Sequence, residues 1–161
     1  MTLVDVVLEV SRIPYGRPQD RSARGVIAEG RGTCSTKHLL LAQIVAERWP
    51  ELHPTLWHRV YRVTPALAEE RWGREVARAV PRGGLVDVHT FAVVTIDGRA
   101  TRVDVTFPLA AWDGVADIPL ACGDGEDHPA GADALASKAL LVEEHCDPAV
   151  REPFIAALST A

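Results

Sequence analysis

The chain is short of the features that usually assign a protein at a glance. It carries three cysteines, Cys34, Cys122 and Cys146, in 161 residues. One is left over under any single-disulfide scheme, so a disulfide framework is not expected, and three free thiols fit a reducing compartment. No stretch approaches membrane-spanning length, and residues 1–11 lack the basic start and long apolar core of a secretory signal, so a cytoplasmic protein is expected. Positive charge is scarce at one end: residues 113–161 carry two Lys/Arg against ten Asp/Glu, whereas residues 1–112 carry fifteen against twelve. That acidic extension argues against a general nucleic-acid binder.

What is present is ordinary for a water-exposed domain. The apolar fraction is 47% and the charged fraction 24%, and the length suits one domain over residues 1–161 with a sizeable core. Leu3, Val6, Val7 and Val10 recur at helical spacing, ended by Pro14 and the turn Tyr15-Gly16-Arg17-Pro18, and a second short helix is expected over 20–29. Residues 55–63 alternate as a strand, with Trp57, Tyr61 and Val63 on one face and Leu56, His58 and Val60 on the other. His58 reads as a packed strand histidine. Residues 65–80 read as one charged surface helix starting at Pro65, 122–133 as a Gly- and Asp-rich loop, 134–145 as an apolar segment of undecided type, and 149–158 as a terminal helix.

Two stretches carry chemistry. In the first, Gly30-Arg31-Gly32-Thr33-Cys34 precedes apolar residues at 40, 41, 44, 45 and 49, a spacing near 3.6 that predicts a buried amphipathic helix. The glycines and the capping residues Thr33, Ser35 and Thr36 put its start within a residue or two of Cys34. Unpaired N–H groups and the positive helix end stabilise a thiolate there. Taken alone, such a cysteine reads as a small buried packing residue. Arg12, Arg17, Arg21, Arg24, Arg31 and Lys37 make the approach basic, which favours a thiolate or an anionic substrate; their default reading is a solvated face.

In the second, Val86 to Ile96 and Arg99 to Phe107 flank Asp97-Gly98, the strongest short-range hairpin signal, because a type I′ turn needs positive φ at both central residues. A two-residue loop makes opposed residue numbers sum to 195. His89 then faces Thr106 and Asp104 faces Phe91, with His89 and Asp104 diagonal neighbours on one face, their Cβ atoms roughly 7 Å apart.

A thiol at a helix start, a strand histidine and a carboxylate on the paired strand are the parts of nucleophilic acyl transfer. The histidine takes the thiol proton, the thiolate attacks a carbonyl, and the carboxylate holds the imidazole. The Cys34 N–H would face a developing oxyanion. Two alternatives use the same residues. Cys34, His38, His89 and Asp104 assemble on paper into a zinc site, His38 lying one helical turn beyond Cys34; equally, a binding module would keep the fold and an idle triad. His38 is also a rival base, and Lys37 reads as solvated. Cys122, His128, His145 and Cys146 match no established zinc spacing and read as scattered structural or surface residues.

Arg31-Gly32-Thr33-Cys34, the run His89-Thr90-Phe91-Ala92-Val93-Val94-Thr95-Ile96-Asp97-Gly98, and Val103-Asp104-Val105-Thr106 together resemble the core of the transglutaminase-like superfamily, and the second stretch also resembles arylamine N-acetyltransferases. The resemblance covers roughly residues 25–108. It implies an α+β, papain-like core with the cysteine helix packed on an antiparallel sheet, and a Cys34-His89-Asp104 triad acting on a peptide, amide or other acyl substrate. No calcium-loop pattern is present and no cofactor is expected. Neither nucleic acid nor a membrane is an expected partner.

Overall fold

A computed structural model describes residues 1–161 as an α+β arrangement of seven helices and one four-stranded antiparallel sheet. Helices α1 (Leu3–Ser11), α2 (Ala23–Glu29) and α3 (Cys34–Arg48) come first. Strand β1 (Thr55–Val63) follows, then α4 (Pro65–Trp72), α5 (Arg74–Arg78), β2 (Leu85–Ile96), β3 (Arg99–Val103), β4 (Gly125–Pro129), α6 (Ala134–His145) and α7 (Pro148–Leu158). The sheet order is β3-β2-β1-β4. No helix is long and apolar enough to cross a membrane.

The β2–β3 hairpin forms with the expected register. Ile96 pairs with Arg99, and Asp97 and Gly98 both have positive φ, 49° and 78°, as a two-residue I′ turn requires. The ladder stops sooner than expected, at Ala92 and Val103. Asp104 ends it: its carboxylate accepts hydrogen bonds from the Thr106 N–H at 2.9 Å and the Ala121 N–H at 2.8 Å, an Asx turn that bends the chain off the sheet. The expected pairs Asp104–Phe91 and His89–Thr106 are therefore not part of the ladder.

Two other expectations are corrected. The helix expected over 65–80 is two helices, broken at Gly73, whose φ of 96° an L side chain rarely adopts. The loop expected over 122–133 contains β4, which pairs along the open edge of β1. Its composition hid it. Gly125 is needed because a Cβ there would lie 2.1 Å from the Val60 carbonyl oxygen, and Asp127 is held by Arg59 at 2.6 Å, so the residues that suggest a loop are the ones that fit this edge.

Residues 134–145, of undecided type from sequence, form α6, capped by Asp133, whose carboxylate accepts from the Ala136 N–H at 3.0 Å; such a cap contributes about 1 kcal/mol. Asp147 caps α7 through the Ala149 N–H, with Pro148 at the first helical position. One core cluster joins α1, α2 and α3 to the sheet through Val7, Val26, Leu41, Val45, Ala92 and Val103. A second joins α4, α5 and α7 to it through Val63, Ala68, Val76, Leu85, Phe91 and Phe154. The cleft described next is lined by Val88 and His89 of β2, Cys34 of α3, Lys138 of α6 and Ile155 of α7.

Candidate active site

Cys34 is the first residue of α3, after Thr33 in extended conformation. The Thr33 N–H donates to Thr36 Oγ1 at 2.9 Å and fastens this end of the helix. A first-turn N–H has no acceptor within its own helix, and the Cys34 amide donates to no other acceptor in the chain. Cys34 is only 6% exposed.

His89 of β2 donates from Nε2 to Asp104 Oδ2 at 2.7 Å, both groups buried. Asp104 is the residue where β3 ends, and its two oxygens also take the Thr106 hydroxyl at 2.6 Å and the two backbone N–H groups already named. With Nε2 committed, the other ring nitrogen of His89 is the one left to serve the Cys34 thiol, which lines the same cleft. Cys34, His89 and Asp104 are thus brought together in this order.

The charges are mutually supporting. Burial disfavours the carboxylate of Asp104, but the charge and hydrogen bond of His89 and the hydrogen bond from Thr106 outweigh it and hold the acid well below the usual carboxylate range. Burial alone would strip the proton from His89; Asp104 and Cys34 reverse that and raise it well above an ordinary histidine. Burial also opposes a Cys34 thiolate, yet the nearby cations of Lys138 and His89 bring the thiol down to about 6.

Lys138 was not among the sequence candidates. It projects from α6 with its ammonium 3.2 Å from Cys34 Sγ and 3.4 Å from Ser35 Oγ, and it is 7% exposed. His58 holds α6 in place. Its Nδ1 accepts from the Thr90 hydroxyl at 2.9 Å, and its Nε2 donates to the Ala134 carbonyl at 3.1 Å, with Ser137 Oγ at 2.9 Å. Ser137 directly precedes Lys138, so a buried strand histidine, neutral because burial lowers it to about 4, fixes where the ammonium sits.

The second cation missed in the sequence, Arg151 of α7, is equally buried and donates from Nε to Asp87 Oδ1 at 2.8 Å, with Tyr61 Oη donating to Asp87 Oδ2 at 3.4 Å. Lys138 and Arg151 are the only cations of the acidic segment 113–161. Arg151 lies three, four and seven residues before Phe154, Ile155 and Leu158, the apolar face of α7. A lone cation on an apolar helical face within an acidic stretch was the signal available for it.

Several expectations change. Lys37 is not solvated: it is fully buried and donates to the carbonyls of Ser11, Ile13 and Thr106 at 2.7–2.9 Å, tying the end of α1 to the segment beyond Asp104. His38 is neither base nor zinc ligand. Its Nδ1 donates to the Cys34 carbonyl at 2.6 Å and its Nε2 accepts from the Val105 N–H at 2.9 Å, so both ring nitrogens are occupied and burial keeps it neutral, at about 4. It is a positioning residue that locks the start of α3 to the chain beside Asp104. No three His, Cys, Asp or Glu side chains converge in metal-holding geometry, either here or around Cys122, His128, His145 and Cys146.

The inner cleft at Cys34 has a volume of only about 20 Å³ for a water-sized occupant, on the order of one water. Tyr15 stacked on Phe107 forms one wall. Arg17, Arg21, Lys138 and Arg151 also line an adjoining open vestibule of about 310 Å³. Compared with protein-family models, curated proteins and solved structures, the chain matches none.

Proposed function

We propose that the chain is a cysteine-dependent acyl-transfer or amide-hydrolysing enzyme of transglutaminase-like type, with a papain-like core and Cys34, His89 and Asp104 as its triad. The observation that carries the reading is the setting of the Cys34 sulfur. It lies between an imidazole anchored to a carboxylate at 2.7 Å and an ammonium at 3.2 Å, at a helix N-terminus.

In this reading the Cys34 thiolate attacks the carbonyl carbon of an amide or thioester. The carbonyl electron pair moves to oxygen, and the oxyanion is met by the Cys34 N–H and the Lys138 ammonium. The protonated His89 gives its proton to the leaving amine or thiol as the C–N or C–S bond breaks, leaving a thioester on Cys34. Water or an acceptor amine then attacks, His89 takes its proton, and the thiolate is expelled. Asp104 holds the imidazole tautomer throughout.

The pH dependence follows from the directions of the two shifts. Cys34 is depressed to about 6, so thiolate is present above that pH; His89 is raised, so imidazolium persists above its ordinary range. The reactive ion pair occupies the window between them. Alkylation of Cys34 by iodoacetamide, resolved by peptide mass spectrometry from Cys122 and Cys146, is expected to rise through about pH 6 rather than the unperturbed value of about 8.5. His89→Ala should move that rise upward. Incubation with p-nitrophenyl acetate should leave an acetyl adduct on the Cys34 peptide, absent in Cys34→Ala. A rise only above pH 8.5, together with no adduct, would sink the enzyme reading and leave a binding module with an idle triad.

A further inference from the structure

Four cations, Arg17, Arg21, Lys138 and Arg151, line the vestibule in front of Cys34 against two carboxylates, Glu143 and Glu152. Arg17 is paired with Glu152 at 2.9 Å, and Arg151 with Asp87 at 2.8 Å and, through Nη1, with Glu152 at 3.5 Å. Arg21, at the same mouth, is exposed and forms no hydrogen bond or ion pair within the chain, with the like charges of Arg17 and Arg151 beside it. No buried side-chain nitrogen or oxygen in the protein lacks a partner. Arg151 Nη2 and Tyr15 Oη make no bond within the chain, so both must open onto the cleft they line.

Guanidinia whose donors are unused within the chain are free to meet an anion, and their planar forks match an oxyanion group. Acylation adds a second demand. Once Cys34 carries an acyl group its negative charge is gone, and the Lys138 ammonium, 7% exposed, loses the partner it holds in the resting state. A negative group on the bound acyl chain would restore the balance. The inner cleft, with room for about one water, admits only a slim chain between the thiol and the vestibule.

Resting on the acyl-transfer reading, we infer that the acyl donor is a slim amide or thioester that bears a second, anionic oxygen group, a carboxylate or a phosphate, seated in the vestibule against Arg21 and the free edge of Arg151 while its carbonyl reaches Cys34.

Matched reagents separate this inference from the reading beneath it. Iodoacetate and iodoacetamide alkylate the same sulfur, one carrying a carboxylate and one neutral. The ratio of their rates at Cys34, relative to the ratio for free N-acetylcysteine, is expected to be raised about tenfold. It should fall at least threefold in Arg21→Gln and stay as in the parent in Arg24→Gln, which removes a cation that does not line the vestibule. Succinate and inorganic phosphate at matched ionic strength then serve as protectants against iodoacetamide. Protection by succinate assigns a carboxylate, and protection by phosphate assigns a phosphate. An activated Cys34 whose ratio equals that of the free thiol, or does not respond to Arg21→Gln, overturns the inference and leaves the acyl-transfer reading standing. Failure of the neutral iodoacetamide to react below pH 8.5, together with no acetyl adduct on Cys34, overturns both.

Discussion

Residues 1–112 and residues 113–161 contribute to one site in opposite ways. The first region is close to charge-balanced, and it supplies Cys34, His89 and Asp104 from a helix start and a hairpin whose spacing can be read locally. The second is strongly acidic, yet the only two cations it has, Lys138 and Arg151, are both buried in the cleft. A charge that runs against the composition of its surroundings, and that a helix buries on its packed face, is expensive to keep there. The difference teaches that net charge describes what a segment shows to water. Its exceptions describe what the segment brings to the site.

Three substitutions test how far the two regions act as one unit. Asp104→Asn, in the first region, should keep the folded circular-dichroism spectrum and lower acyl turnover on the order of 10³-fold, because an amide no longer balances the imidazolium or fixes its tautomer. A rate within a few-fold of the parent would make Asp104 a fold residue that ends β3 and nothing more. Lys138→Met, in the second region, has a similar chain length and no charge. It should lower turnover by about 10² and move the rise of the Cys34 alkylation profile above about 6, since the remaining cation near the sulfur is His89. An unshifted profile would mean that the first region alone activates the thiol, and the comparison would break. His58→Phe preserves packing volume while removing the bonds from β1 to α6. About a threefold loss of turnover, with a small upward move of the same profile, is expected from a less well-placed ammonium, equivalent to about one net hydrogen bond. A loss of stability with no change in the profile would restrict His58 to packing.

How much was legible in the sequence varied with how local the cause was. The hairpin register was readable because Asp97-Gly98 imposes it through two adjacent residues, and the α3 start was readable because its glycines and capping residues are contiguous with Cys34. Strand β4 was not readable. Gly125 and Asp127 suit a sheet edge only because the Val60 carbonyl and Arg59 of β1 are there to meet them. Lys37 was read as solvated; the three carbonyls it meets come from the end of α1, the chain just after it, and the segment after Asp104, all distant in sequence. His38 looked like a base or a zinc ligand from its one-turn spacing to Cys34, and that same spacing brings it to the Cys34 carbonyl instead, with Val105 closing the other side.

By itself, the sequence determined that a cysteine opens a buried helix, that a two-residue turn aligns a histidine strand with the strand leading to Asp104, and that the chain falls into an α+β class. These follow from capping, from helical and strand periodicity, and from the φ demands of one dipeptide, all of which act over a few residues. Only the tertiary structure decided that His89 and Asp104 meet although Asp104 has left the ladder. It alone decided that α6 delivers Lys138 to the sulfur, and that Arg17, Arg21 and Arg151 converge in front of it. Those are encounters between groups 15 to 134 residues apart, settled by which faces the two core clusters bury against the sheet, and no local preference of the chain records them.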